Sequence, residues 1–397
     1  MVRGTADEEI VLEVAEEIRE TGLNAGDLLL YDRESLVAYE KVEKPGEESY
    51  LLERVPDVTF ADVGGLGDVI DEIVGEVQLH FFHGDLVRQH RLKFWKGIIL
   101  SGPPGVGKTM IVRALANHLS QLEGVEAKFL NVKPGQHRTM WYGKTEENIR
   151  ELFALARRAA ADGFVVMFFD DLDHLGARDD GVSTAIDSRV LPTFLVEMDG
   201  LESLDRVLLV GATNRPDLLD PALRREDRFG DRVFPIPRPN REAARQIFRK
   251  HLTPDLPYYS ASGTEAEQPG GEMIEAALAA IYSPNGEAST LASLTFRDGS
   301  RKPVTASQVM SGALIANVVT EAKRRSCFRA VRGSHVGIIT ADLLAAIDRQ
   351  LASVAQMLKP GPALQQMLDL PTDLDVVKVE VRSRATEPAS HEYVRLQ

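Results

Sequence analysis

The chain has 397 residues, with 60 Asp+Glu against 46 Lys+Arg and a formal net charge of −14 at pH 7. Its 44% hydrophobic and 27% charged residues are an ordinary globular balance, which excludes a disordered, collagenous or coiled-coil protein; the length suits two to three domains. A single cysteine, Cys327, excludes a disulfide framework and a Cys-rich zinc site, and no apolar run reaches the roughly 18 residues that would span a bilayer.

Residues 1–10 hold no apolar core followed by a small-residue cleavage site, so a protein of the cytoplasm, with no membrane partner, is expected. Up to residue 55, short alternating runs at 27–31 and 36–39 are separated by turn signals such as Lys44-Pro45-Gly46. They predict a small β element, with a partly ordered arm as the other reading. From 56 to 252, strand-like and helical patterns alternate. A strand at 97–100 runs through a Gly-rich loop into a helix over 109–119, and a strand at 127–132 follows. The helix expected over 145–161 has Glu146 and Glu147 in its first turn and Ile149, Leu152, Phe153 and Ala156 on one face. Residues 164–169 are apolar throughout, as in a strand buried on both faces. The run at 207–210 repeats that pattern and 233–236 adds an edge. Such alternation predicts an α/β fold with a parallel sheet.

Pro254, Pro257, Gly263, Pro269, Gly270 and Gly271 mark a flexible linker over 253–271. A smaller, mostly helical domain is expected to 358, with helices at 272–281, 306–325 and 340–358. A hairpin over 288–304, turning at Asp298-Gly299, interrupts them. Residues 359–397 hold one strand-like run, 376–381, and a polar tail.

Residues 102–109 read Gly102-Pro103-Pro104-Gly105-Val106-Gly107-Lys108-Thr109, fitting the phosphate-loop pattern between a strand and a helix, with Met110 next along that helix. The glycines let successive N–H groups converge on phosphate oxygens, and the helix adds its positive end. Lys108 is placed to reach the β- and γ-phosphates of ATP, and the Thr109 hydroxyl to ligate Mg²⁺. The strand at 164–169 ends in Asp170-Asp171. Asp170 is assigned to the Mg²⁺ water shell, and Asp171 to orienting or deprotonating the attacking water. Asp173 is an alternative acid, expected to point away. Asn214, at the end of the strand over 207–210, suits sensing the γ-phosphate. Arg225 and Arg228, three apart on an expected helical end, are candidates for cancelling charge on a neighbouring subunit's nucleotide.

Taken with Asp62-Val63-Gly64-Gly65 and the run Gly211-Ala212-Thr213-Asn214-Arg215-Pro216, these motifs make residues 56–355 resemble an AAA+ ATPase of the family that includes the proteasomal motors. Residues 51–66 most resemble the bacterial proteasome-associated (ARC/Mpa) branch, as does the hairpin-interrupted small domain. Residues 24–52 then look like the last strands of that family's inter-domain barrel, making 1–55 a partial β-barrel-like segment. The resemblance implies a homo-hexameric ring acting on protein substrates, with ATP at the subunit boundaries. Arg225 and Arg228 match the arginines that reach across. Val63 and Gly64 match the adenine pocket, Gly312 and Ala313 the small-domain wall against the base, and His251 the ribose-side contact; capping a helix C-terminus is the other reading of His251. Trp141, Tyr142 and Gly143 match the loop that lines the channel and grips an extended polypeptide, where a bulky ring offers sequence-tolerant apolar contact.

Three departures bear on function. Where the family usually has Glu, this chain has Asp171, whose oxygens fall back by ~1.5 Å, a displacement able to slow chemistry about a hundredfold. The last residues are Tyr393-Val394-Arg395-Leu396-Gln397, not the family's Gly-Gln-Tyr-Leu, so docking on a proteasome-type peptidase is not expected. Nor is the family's upstream coiled coil expected. The expected function is an ATP-dependent ring that unfolds, threads or remodels proteins. The alternative is a nucleotide-controlled assembly or adaptor with weak hydrolysis. Net charge −14 argues against a nucleic-acid partner.

Overall fold

The computed structural model of the protein describes residues 57–122, 127–132, 145–161, 163–175, 187–201, 206–230, 232–259, 265–266, 271–283, 290–333, 335–370 and 374–382, with short segments at 2–3, 9–10, 13–15, 28–31, 35–42 and 52–53. The chain divides into two units, Met1–Glu53 and Arg54–Gln397. In the first, β3 (Val37–Val42) lies between β1 (Glu13–Val14), parallel to it, and β2 (Leu28–Tyr31), antiparallel. Ala38 is fully buried there.

The second unit is built around apolar runs with no polar break. β4 (Gly97–Ser101), β5 (Ala127–Val132), β6 (Phe164–Phe169), β7 (Val207–Thr213) and β8 (Val233–Pro235) run parallel in the spatial order β8-β4-β7-β6-β5. β4, β6 and β7 are buried at every residue because helices cover both faces, so their sequences need no alternation. Two helices, α1 (Gly67–Phe82) and α2 (Lys108–Ser120), bring Ile70, Ile73 and Val77, and Ile111, Leu115 and Leu119, into one core with Ile98 and Leu100. These residues recur every three or four positions, the spacing of one helical face. α3 (Thr145–Ala160) buries Ile149, Leu152, Phe153 and Ala156, as its pattern predicts. α4 (Asp187–Asp199) contains Pro192.

A second core joins α5 (Arg241–His251), α6 (Gly271–Tyr282), α7 (Gly312–Val331) and α8 (Thr340–Met357) through Phe248, Ile274, Leu278, Ile315, Val319, Leu343 and Ile347. Its edge is a three-stranded antiparallel sheet in which β9 (Thr290–Phe296) pairs with both β10 (Arg301–Thr305) and β11 (Val376–Val381). The expected flexible linker is packed over its first part. Tyr258 is buried, its hydroxyl donates to the Thr253 carbonyl at 2.8 Å, and Tyr259 N–H donates to the Ile338 carbonyl at 3.1 Å. The single helix expected over 306–325 is broken. A short turn, Ala306–Val309, ends at Met310, and Ser311 is extended, its hydroxyl accepting from Leu314 N–H at 3.3 Å to start α7 afresh. Among the described residues no helix is long and apolar enough to cross a membrane.

Candidate functional site

Sheet register gathers the motifs at one edge. Thr213 pairs with Ser101 and Gly211 with Phe169, so the next residues, Gly102, Asn214 and Asp170, follow the strand ends side by side. Open α/β sheets hold ligands outside these carboxyl ends. The loop after β4 turns through Gly102 (φ +151°) and Gly105 (φ +77°), conformations that L side chains rarely adopt. It ends at the amino terminus of α2, whose dipole is positive there.

Lys108 is 8% exposed. Its ammonium donates to the carbonyls of Gly102 at 2.6 Å and Pro103 at 3.0 Å, and to Asn214 Oδ1 at 2.7 Å. Burial pulls its pKa down to about 8, against the opposing pull of Asp170, Asp171 and Asp173. Asn214 Nδ2 donates in turn to Asp171 Oδ1 at 3.2 Å. Asp171 is left-handed, with φ +58°. Asp173 is buried and accepts from Thr213 Oγ1 at 2.8 Å.

A cavity of about 740 Å³ opens over this edge, within the range of small-molecule sites. One wall is the loop from Pro104 through Val106 and Gly107 to Met110, with Thr109, and beside it stand Asp170, Asp171 and Asn214. The lining also includes Val63 and Gly64, His251 of α5, and Gly312 and Ala313 at the start of α7. Gly102 and Pro103, at the start of the loop, are not in the lining, and their carbonyls accept from Lys108. Sequence reasoning missed Ile247, Lys250 and Ala316 in the same walls. Ile247 lies four residues before His251, so the helical repeat of α5 was the signal that would have found it.

Burial lowers the His251 pKa, and the charges of Lys323 and Lys250 lower it further; burial does the same to His80 of α1. Both imidazoles are therefore neutral at pH 7. The unfolded chain takes up protons more readily than the folded one, so the stability present above the ordinary value of 6.5 is lost as pH falls through it. The melting temperature of nucleotide-free protein is expected to drop by a few degrees between about pH 7.5 and 5.5, and less so for His251→Gln. A flat profile would contradict this.

The two arginines part company. Residues 221–230 are turns, not the expected helical end. Arg225 is exposed, whereas Arg228 is 6% exposed and held by Asp199: Nε donates to Oδ1 at 2.8 Å, Nη2 to Oδ2 at 2.7 Å, and Nη1 to the Ala222 carbonyl at 2.7 Å. One face does not present both, because Asp199 supplies the bidentate partner that a planar guanidinium fits. Trp141, Tyr142 and Gly143 lie outside the described residues.

Residues 98–237 match the model of the ATPase family associated with various cellular activities (AAA), and 239–359 that of the ARC AAA+ ATPase lid domain. Residues 1–43 match the proteasomal ATPase OB C-terminal domain. The chain is 39% identical over 360 residues to a proteasome-associated ATPase of Acidimicrobium ferrooxidans, covering 87% of this chain and 62% of that protein. It is 38% identical over 358 residues to one of Thermomonospora curvata (87% and 61%). Over 333 residues it is 40% identical to an AAA ATPase forming ring-shaped complexes of Micrococcus luteus (82% and 57%). It thus spans about three-fifths of the length of these curated relatives.

Proposed function

Because the chain belongs to the AAA ATPases, with an ARC-type lid behind the nucleotide-binding domain, we propose that it hydrolyses ATP as a hexameric ring that unfolds and threads proteins. The observation that carries this reading is the single cavity shared by the phosphate loop, the strand-end carboxylates, Asn214 and the lid.

In this reading the loop N–H groups and Lys108 take the triphosphate, while Val63, Gly64, His251, Gly312 and Ala313 enclose the base and ribose. A neutral His251 suits that role, since it donates or accepts without adding charge. Thr109 and Asp170 offer hard oxygens at the loop. That donor set suits Mg²⁺, an ion that keeps several waters and binds through one or two carboxylates plus substrate phosphates. Held there by Thr109 and Asp170, such an ion would supply neutralising charge to the phosphates. Asp171 and Asn214, already joined, orient the attacking water. Exposed Arg225 serves a neighbouring copy's pocket, and Arg228 holds the loop that presents it. Trp141 and Tyr142 grip substrate in the channel, with Gly143 giving the loop freedom.

The geometry of Asp171 favours a second reading, a nucleotide-controlled adaptor with weak turnover. Its carboxylate is shorter than the family's glutamate and its oxygen already engages Asn214.

One set of assays separates these. Turnover should rise with protein concentration as copies assemble, and Trp141→Ala should keep turnover while losing unfolding of a destabilised fluorescent protein. Equal unfolding by that variant rejects threading. Negligible wild-type turnover, raised tenfold or more by Asp171→Glu, selects the adaptor. A chain that stays monomeric with saturating Mg-nucleotide sinks the ring.

A further inference from the structure

The phosphate loop is gripped at two points by different parts of the chain. At Gly102 a Cβ would lie 2.2 Å from the Ile236 carbonyl oxygen, and Ile236 N–H donates to the Ser101 carbonyl at 2.7 Å. At Gly105 a Cβ would lie 2.9 Å from Ser311 Oγ, and the Gly105 carbonyl accepts from Ala313 N–H at 3.0 Å. The first grip is the turn that leaves β8; the second is the start of the lid helix α7.

Arg238 connects them. It stands two residues past Ile236 with its side chain 14% exposed. Nη1 donates to the Val309 carbonyl at 3.3 Å, two residues before Ser311, and Nη2 to the Met367 carbonyl at 2.5 Å. Nε lies 4.0 Å from Asp369 Oδ2. Packing alone would be served by an apolar side chain at this depth. A guanidinium here has its charge largely out of water and its planar fork spanning two backbone segments, a geometry that lysine does not reproduce. One of those segments leads straight into the lid's contact with Gly105. The other, residues 362–370, leads toward β11.

We propose that Arg238 is a positioning residue that couples lid closure over the nucleotide to the seating of residues 362–370. Closing the lid on Gly105 brings Val309 to the fork, and the fork holds Met367 at the same time. The coupling is reciprocal, as linkage requires: nucleotide tightens the C-terminal segment, and loosening that segment frees nucleotide. This rests on the nucleotide reading of the cavity.

The test uses the full chain and N-methylanthraniloyl-ATP with Mg²⁺. Arg238→Lys and Arg238→Gln are expected to release the analogue at least tenfold faster than wild type, with the larger effect in Gln. Hydrogen exchange of wild type should slow across 362–381 when nucleotide binds, and the slowing should shrink in Arg238→Lys. A purely structural arginine would alter exchange equally with and without nucleotide. Wild-type release rates in both variants, or exchange at 362–381 indifferent to nucleotide in wild type, overturn the coupling alone. The exchange result stands even where a variant fails to fold. Wild type that binds no analogue overturns the nucleotide reading and the coupling with it.

Discussion

Lys108→Ala is expected to weaken ATP binding by about a hundredfold or more, which is roughly 2.8 kcal/mol at 1.4 kcal/mol per tenfold. The ammonium sits at the amino end of α2 and is charged at pH 7, because burial lowers its pKa only to about 8. Without ligand it is satisfied by two loop carbonyls and Asn214 Oδ1. A triphosphate offers it anionic oxygens instead, and hydrogen bonds between charged partners are about twice as strong as neutral ones. Calorimetric titration of both proteins measures the difference, and a loss below threefold would reject the assignment. The same shift has a sign for stability. Between about pH 8 and the ordinary lysine value of 10.5 the unfolded chain holds a proton that the folded one has released, so stability rises with pH across that window. The charged lysine is therefore a load on the nucleotide-free fold, and the alanine variant without nucleotide should melt no lower than wild type.

Arg225→Ala should leave nucleotide affinity within about twofold and cut turnover by roughly a thousandfold, the lower end for an arginine supplied in trans. Because the residue is proposed to act on the next copy's pocket, mixing two inactive proteins offers a sharper check. In a ring containing both Arg225→Ala and Lys108→Ala copies, an intact loop on one copy can face an intact Arg225 on the other. Turnover should then reappear. A mixture as inactive as its components would mean that Arg225 does not work across a boundary. Arg228→Ala behaves differently. It strips Asp199 and the Ala222 carbonyl of their buried partner, so its melting temperature should fall, whereas that of Arg225→Ala should not.

How much of this was legible in the sequence depended on how local its cause is. β6 and α3 were readable because an unbroken apolar run and a one-faced repeat are properties of neighbouring residues. The loop at 102–109 was readable for the same reason: its glycines, lysine and threonine are consecutive. α4 was not assigned, since Pro192 inside it is a helix-breaking signal that tertiary packing of Phe194 and Met198 outweighs. The break at Met310-Ser311 went unread although Ser311-Gly312, a local turn and cap signal, lies within 306–325. Ser311 starts the new helix through its own hydroxyl, and the Gly105 carbonyl, about 200 residues away in the chain, accepts from Ala313 N–H at 3.0 Å.

The sequence by itself determined a parallel α/β layer, a phosphate loop, carboxylates at a strand end and a helical lid, because each follows from the spacing of residues a few positions apart. Only the tertiary structure decided which side chains face the cavity, and that Arg225 is exposed while Arg228 is spent on Asp199. It alone revealed Arg238 spanning Val309 and Met367. Those outcomes depend on desolvation and on partners brought together from distant parts of the chain, and an arginine in a sequence carries no mark of the carboxylate it will meet.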